Sequence, residues 1–212
     1  MIILIFICFL SMATESFAAI ASTTAPGAAV ATKMPPLPAE RIDRMTQSVT
    51  LPNRRFVDIR DLLQRLSRAG NFSLMMEGAV HGVLEKVEGT TIEEVLTKTV
   101  KPRGFEWRFW ENCLFVGTPE RMEYLWENLK IPLVKSAKQG NKVSAEFHDI
   151  EIQTVVNILE NYSGIGLRAT QSINQHMSLR VVDMPWEKVL LGVVYLNGFR
   201  MVISDFSITI TP

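Results

Sequence analysis

Apolar residues along this chain fall into two matching series. Ile59, Leu62, Leu63 and Leu66 are spaced i, i+3, i+4, i+7, and so are Ile152, Val155, Val156 and Leu159, which predicts two amphipathic helices. At the same offset Asn71-Phe72-Ser73-Leu74 answers Gly164-Ile165-Gly166-Leu167. There a residue tolerant of left-handed backbone closes the helix and a strand begins. After a one-residue slip, Ile92, Val95 and Leu96 answer Trp186, Val189 and Leu190, and Gly104-Phe105 answers Gly198-Phe199. A second helix closed by glycine is implied in each half.

Two short runs follow each second helix. Phe105 to Phe109 precedes Leu114-Phe115-Val116, and Phe199 to Ile203 precedes Phe206 to Ile210, so each pair reads as a hairpin. Alternation sets Phe206, Ile208 and Ile210 on one face and Ser207, Thr209 and Thr211 on the other, one buried and one wet. It likewise turns Phe105, Trp107 and Phe109 inward and leaves Trp110 at a hairpin tip. The expected class is α+β: two tandem small βαββαββ domains, with helices packed on short mixed sheets. The expected organisation is a signal peptide over residues 1–21, a Pro/Ala/Thr-rich flexible tether over 22–47, a first unit over 48–117, a helix and linker over 118–141 in which Pro119 to Leu129 is helical, and a second unit over 142–212.

The N-terminal expectation rests on the apolar run Ile2 to Leu10 followed by small residues, a run far shorter than a bilayer-spanning helix. It implies export and a periplasmic location. Cleavage would remove Cys8 and leave Cys113 as the one thiol, so no intramolecular disulfide is expected. Lys+Arg and Asp+Glu number 22 each, which gives no net field for capture of nucleic acid or anionic lipid. His81, His148 and His176 are scattered, with no metal-ligand spacing. No nucleophile elbow occurs, and Gly164-Ile165-Gly166 runs from helix into strand, the reverse of a dinucleotide loop. Glu93 and Glu94 read as capping acids behind Thr90 or Thr91. The expectation is therefore no catalytic residue, no metal, no cofactor and no enzyme activity.

Certain runs in the second half carry a resemblance. Phe147-His148-Asp149-Ile150, Gly164-Ile165-Gly166-Leu167, Met177-Ser178-Leu179-Arg180-Val181, Asp183-Met184-Pro185-Trp186-Glu187-Lys188-Val189-Leu190 and Asn197-Gly198-Phe199 resemble the short N-terminal domain shared by secretins and TonB-dependent receptors. The likeness is strongest to the version found in type IV pilus secretins. It marks Asp183, Pro185, Trp186, Glu187, Gly164 and Gly198 as motif positions with structural roles: Pro185 presetting the first helical turn, Trp186 dropping into the core, Glu187 near the positive helix end. The first half matches more loosely, with Thr91-Ile92-Glu93 in place of Pro-Trp-acid and Asn71 in place of Gly.

What the resemblance implies is a non-enzymatic periplasmic docking component of an outer-membrane secretin-type pilus or protein secretion apparatus. A complete secretin continues into a pore-forming β-domain, and the chain as given stops at Pro212, so a docking role without the channel is expected. The expected partners are secretin or other envelope secretion and pilus proteins, with a homo-oligomeric ring as a further option and an indirect association with the outer membrane. Addition of a partner strand to an edge formed by Phe206, Ser207, Ile208, Thr209 and Ile210 is one route, and Trp110 is a candidate exposed aromatic. Competing readings are a nucleic-acid-binding module of KH-like fold, a signalling domain of the TonB-dependent transport type, and an enzyme with a dispersed site. Against the KH reading, Gly78 to Gly82 is G-x-x-x-G without a basic stripe, so no nucleic acid is expected.

Overall fold

Side-chain caps start the first two helices. Asp58 accepts a hydrogen bond from the Arg60 amide at 2.7 Å and opens α1 (Ile59–Ala69), just after β1 (Val57–Asp58). Thr91 accepts from the Glu94 amide at 3.3 Å to open α2 (Ile92–Thr99), while the Glu94 carboxylate receives the Thr90 amide and hydroxyl, each at 2.9 Å. Glu94 is thus the capping acid. Its bond reaches Thr90, one residue before the cap. The computed structural model describes residues 44–50, 56–130, 133, 140–205 and 207–212. The expected signal peptide, most of the tether, most of the linker after residue 130, and Phe206 lie outside the described residues.

Between and after those helices run β2 (Ser73–Met76), β3 (Val83–Leu84), β4 (Glu106–Trp110), β5 (Cys113–Gly117) and α3 (Pro119–Asn128). The second half runs β6 (Lys142–Glu151), α4 (Ile152–Ser163), β7 (Gly166–Ala169), β8 (His176–Pro185), α5 (Trp186–Leu196), β9 (Arg200–Ser204) and β10 (Ser207–Thr211). All eight residues of the two long apolar stripes are at most 3% exposed. Asn71 and Gly164 take the left-handed backbone at the ends of α1 and α4, with φ of 48° and 67°.

The fold is α+β, and strand pairing follows the same plan in each half. β2 runs parallel to β5, which pairs antiparallel with β4; β7 runs parallel to β10, which pairs antiparallel with β9. β1 and β3 form an antiparallel pair, as do β6 and β8. One ladder then crosses between the halves. β8 also pairs antiparallel with β2, setting Leu74 opposite Arg180, Met75 opposite Leu179 and Met76 opposite Ser178. The result is a five-stranded sheet, β4-β5-β2-β8-β6, drawn from both halves, beside the three-stranded sheet β7-β10-β9.

Why the first half accepts β8 follows from its side chains. β2 and β5 are buried on both faces. Leu74, Met76, Leu114 and Val116 join the core built on α1 and α2, whereas Met75, Cys113 and Phe115 join the core built on α3, α4 and α5. Gly192 in α5 makes this close: a Cβ there would collide with Met75 Sδ and stand 3.0 Å from the Phe115 ring. The corresponding face of the second sheet is mostly polar, and that sheet is not buried on both sides. Its central row is Arg168, Thr209 and Val202, while Leu167, Ile208 and Ile210 fill the inner face at 3%, 0% and 1% exposure.

The β6–β8 ladder is interrupted twice by one-residue bulges. At one sits Asp149 with φ 50°, at the other Asp183 with φ 51°. A bulged residue loses its ladder acceptor, and a serine from the opposite strand replaces it each time. The Asp149 amide donates to Ser178 Oγ at 3.0 Å, and the Asp183 amide to Ser144 Oγ at 2.9 Å.

Candidate docking edges and the junction cleft

Pro185, Trp186, Glu187 and Gly198 lie at the two ends of α5, whereas Asp183 lies in β8 and Gly164 at the end of α4. Trp186 is fully buried and donates its amide to the Asn141 carbonyl at 2.9 Å. Pro185 stands one residue earlier than expected: it is the N-cap and last residue of β8, with φ −54° and ψ 134°, and Trp186 is the first helical residue. The extended ψ that lets Pro185 finish the β6–β8 ladder opposite Lys142 keeps it out of the first helical turn. Glu187 Oε1 accepts the Gly140 amide at 2.8 Å near the positive end of α5. Asp183 occupies its bulge and pairs with Lys142 at the surface. Gly164 caps α4, and Gly198, with φ 80°, lies against the Arg121 guanidinium.

Two expected surface features are corrected by the tertiary arrangement. Ser207, Ile208, Thr209 and Ile210 form the central strand of their sheet, with β7 on one side and β9 on the other, so their backbone groups are already paired and offer no edge. Their alternation fixed the face, and the parallel pairing with β7 took the edge away. Trp110 is half-buried against the second core, with the Lys188 ammonium 5.0 Å from its ring centroid and Lys188 paired to Glu111. It is not an exposed aromatic.

Among the described residues four edges end the two larger sheets: β4 and β6 in one, β7 and β9 in the other. Two of them are guarded. Arg108 on β4 bonds Glu123 of α3 at 3.1 Å and lies 5.6 Å from the Trp126 ring, and β6 carries its bulge; charges and bulges both discourage strand addition. β9 presents Val202 and Ile203 at 57% and 36% exposure. On β7 the Leu167 amide reaches Glu160 Oε1 at 3.3 Å. Thr170 turns its amide to the Ile210 carbonyl of β10 at 3.0 Å, so strand alternation turns the Ala169 amide to the open side.

Where the halves meet, a cleft of about 460 Å³ opens beside the Gly78 turn. Arg60 organises it. Its guanidinium donates to Asp149 Oδ1 at 2.8 Å, the Gly78 carbonyl at 2.9 Å and the Val80 carbonyl at 2.7 Å. The hydrogen bond from Arg60 is the main reason the Asp149 carboxyl sits below the usual carboxylate range, with His176 adding a smaller effect from 3.5 Å. His176 also stands 3.9 Å from Glu151, and His148 lies 4.0 Å from Asp61. A Cβ at Gly78 would collide with the His176 carbonyl, so the turn weighed as a nucleic-acid clamp is spent on the junction. Arg60, Asp149 and His176 carry no joint signal in the sequence, because the pairing of β8 with β2 alone brings them together. Burial pushes the Cys113 thiol well up, with the Glu111 charge adding to it. Among the described residues no three His, Cys, Asp or Glu side chains are grouped to hold a metal ion, and no helix is long and apolar enough to cross a membrane.

These features define a class: an α+β module with paired halves, whose conspicuous surfaces are strand edges and a polar junction. Comparison with known proteins narrows it. The chain is 41% identical over 73 residues to the type IV pilus biogenesis and competence protein PilQ of Neisseria meningitidis serogroup A, which covers 34% of this chain and 10% of that protein. The PilQ of Neisseria gonorrhoeae matches at 39% over 62 residues, covering 29% of the chain and 9% of the relative. The fimbrial assembly protein PilQ of Pseudomonas aeruginosa matches at 27% over 62 residues, again 29% and 9%. Over about a third of its length the chain is therefore related to pilus secretins, and it spans about a tenth of the length of these relatives. No protein-family model matches the chain.

Proposed function

We propose that the chain is a non-enzymatic docking component of a secretin-type pilus or protein secretion apparatus, acting in the periplasm. The observation that carries this reading is the 41% identity to PilQ over 73 residues, about the length of one half of the chain. The halves at 48–117 and 142–212 are read as two copies of the secretin-type short module, which their common strand order supports. Its partners are envelope proteins of the apparatus, a secretin above all. Contact with the outer membrane is indirect, and assembly into a ring of identical copies fits the same role.

Fractionation of the native host, followed by cross-linking and capture of the tagged chain, tests this. The expected result is recovery from the envelope fraction together with a pilus or secretion protein. Recovery from the cytoplasm with no envelope protein attached would overturn it.

A further inference from the structure

The internal junction shows how this fold joins a second module. β2 lends its edge to β8, whose Arg180 guanidinium donates to the Phe72 carbonyl at 2.8 Å and to Ser67 Oγ at 3.2 Å. At the repeat offset the counterparts of Leu74 to Met76 are Leu167 to Ala169, the counterpart of Phe72 is Ile165, and that of Ser67 is Glu160. Among the described residues that second edge is open. Glu160 is exposed, with its carboxylate against the Leu167 amide, at the repeat position of Ser67, which accepts from the Arg180 guanidinium in the template junction.

We propose that the β7 edge is a docking site for an antiparallel strand of a separate protein, carrying a basic residue at the place that Arg180 holds in β8. Main-chain hydrogen bonds to the Ala169 amide and to the Leu167 and Ala169 carbonyls, which alternation turns to the open side, supply the attachment. The carboxylate of Glu160 selects the cation, because a charge-assisted hydrogen bond is about twice as strong as a neutral one. Face packing adds less than at the template. There Met75 and Phe115 receive α5, whereas Arg168 and Thr209 hold the corresponding positions here. The incoming element is therefore a strand without a helix behind it. β9 has exposed valine and isoleucine, but its counterpart β4 takes no strand, so the repeat assigns it no occupant.

The proposal names a surface for the docking role above, yet it stands on the junction geometry rather than on kinship to PilQ. A β7 edge without affinity leaves the envelope assignment intact, and a cytoplasmic location leaves the edge chemistry intact. The probe is a ten-residue peptide with the sequence of β8, His176–Pro185, titrated into the isotope-labelled full chain. Amide signals of residues 166–170 should shift, with Ala169 the most affected. Arg180→Glu in the peptide should weaken binding about tenfold, the scale of one hydrogen bond to a charged group. Ala169→Pro in the chain should abolish the shifts without lowering the melting temperature, since a proline whose nitrogen faces the open side of an edge strand is tolerated. Shifts centred on Arg200–Ser204, or equal affinity for the Arg180→Glu peptide, would overturn the proposal. So would broadening of the 166–170 signals with protein concentration alone that the peptide fails to compete away, because the occupant would then be a second copy.

Discussion

Truncation of Phe115 measures how far the two halves are one structure. Phe115 belongs to the first half and is 1% exposed, yet its ring lies in the core of the second, against Gly192 of α5. Burial of an aromatic side chain removes about 150–250 Å² from water, at about 25 cal/mol per Å². Phe115→Ala should therefore cost about 4 kcal/mol, in the range measured for deletion of buried aromatics. The control is Thr209, its counterpart at the repeat offset, which is half-buried on the outer face of the other sheet. Thr209→Ala should change stability by less than about 0.5 kcal/mol. Urea unfolding of the full chain, followed by tryptophan fluorescence and far-ultraviolet circular dichroism, reads both. The two probes should move together in Phe115→Ala, because the ladder from β2 to β8 must break before either half unfolds alone. A loss below about 1 kcal/mol, or a second transition left at the wild-type midpoint, would show that α5 does not cover the β2–β5 face.

Other consequences are local. Because Arg60 holds the folded-state pKa of Asp149 below its unfolded value, the ion pair stabilises the protein above the unfolded carboxylate pKa and is lost as pH falls through the folded one. Asp149 is 59% exposed, so the effect should stay under about 1 kcal/mol; Asp149→Asn should flatten the acid limb of a midpoint-against-pH profile, and an unchanged limb would dismiss the pair. In a Cys8→Ser background, Cys113 should react with a disulfide reagent only as fast as the protein opens, since its thiol is fully buried and its pKa raised. Fast labelling under native conditions would contradict that. Thr91→Ala removes the cap of α2 and should lower stability by about 1 kcal/mol in the same urea assay, with no change in m-value.

Much of this molecule could be read locally. The i, i+3, i+4, i+7 stripes, the Thr91–Glu94 cap, and the helix-ending Asn71 and Gly164 all depend on neighbours within a turn or two, where side-chain chemistry acts directly, and the burial of Trp186 was implied by the family resemblance. Even the difference between the sheets was written in residue types: Ser73 to Met76 and Cys113 to Gly117 are apolar enough to bury both faces, whereas Ser207 to Thr211 alternates. The α+β class follows from these elements. What the sequence left open, beyond the hairpins β4–β5 and β9–β10, was which strands are neighbours. Alternation tells a strand which face is buried, but the ladder itself is made of backbone groups that every residue shares. Hence the central place of β10 was decided only when it paired with β7, and the sheltering of Trp110 by Lys188 and the meeting of Arg60 with Asp149 and His176 only when β8 paired with β2.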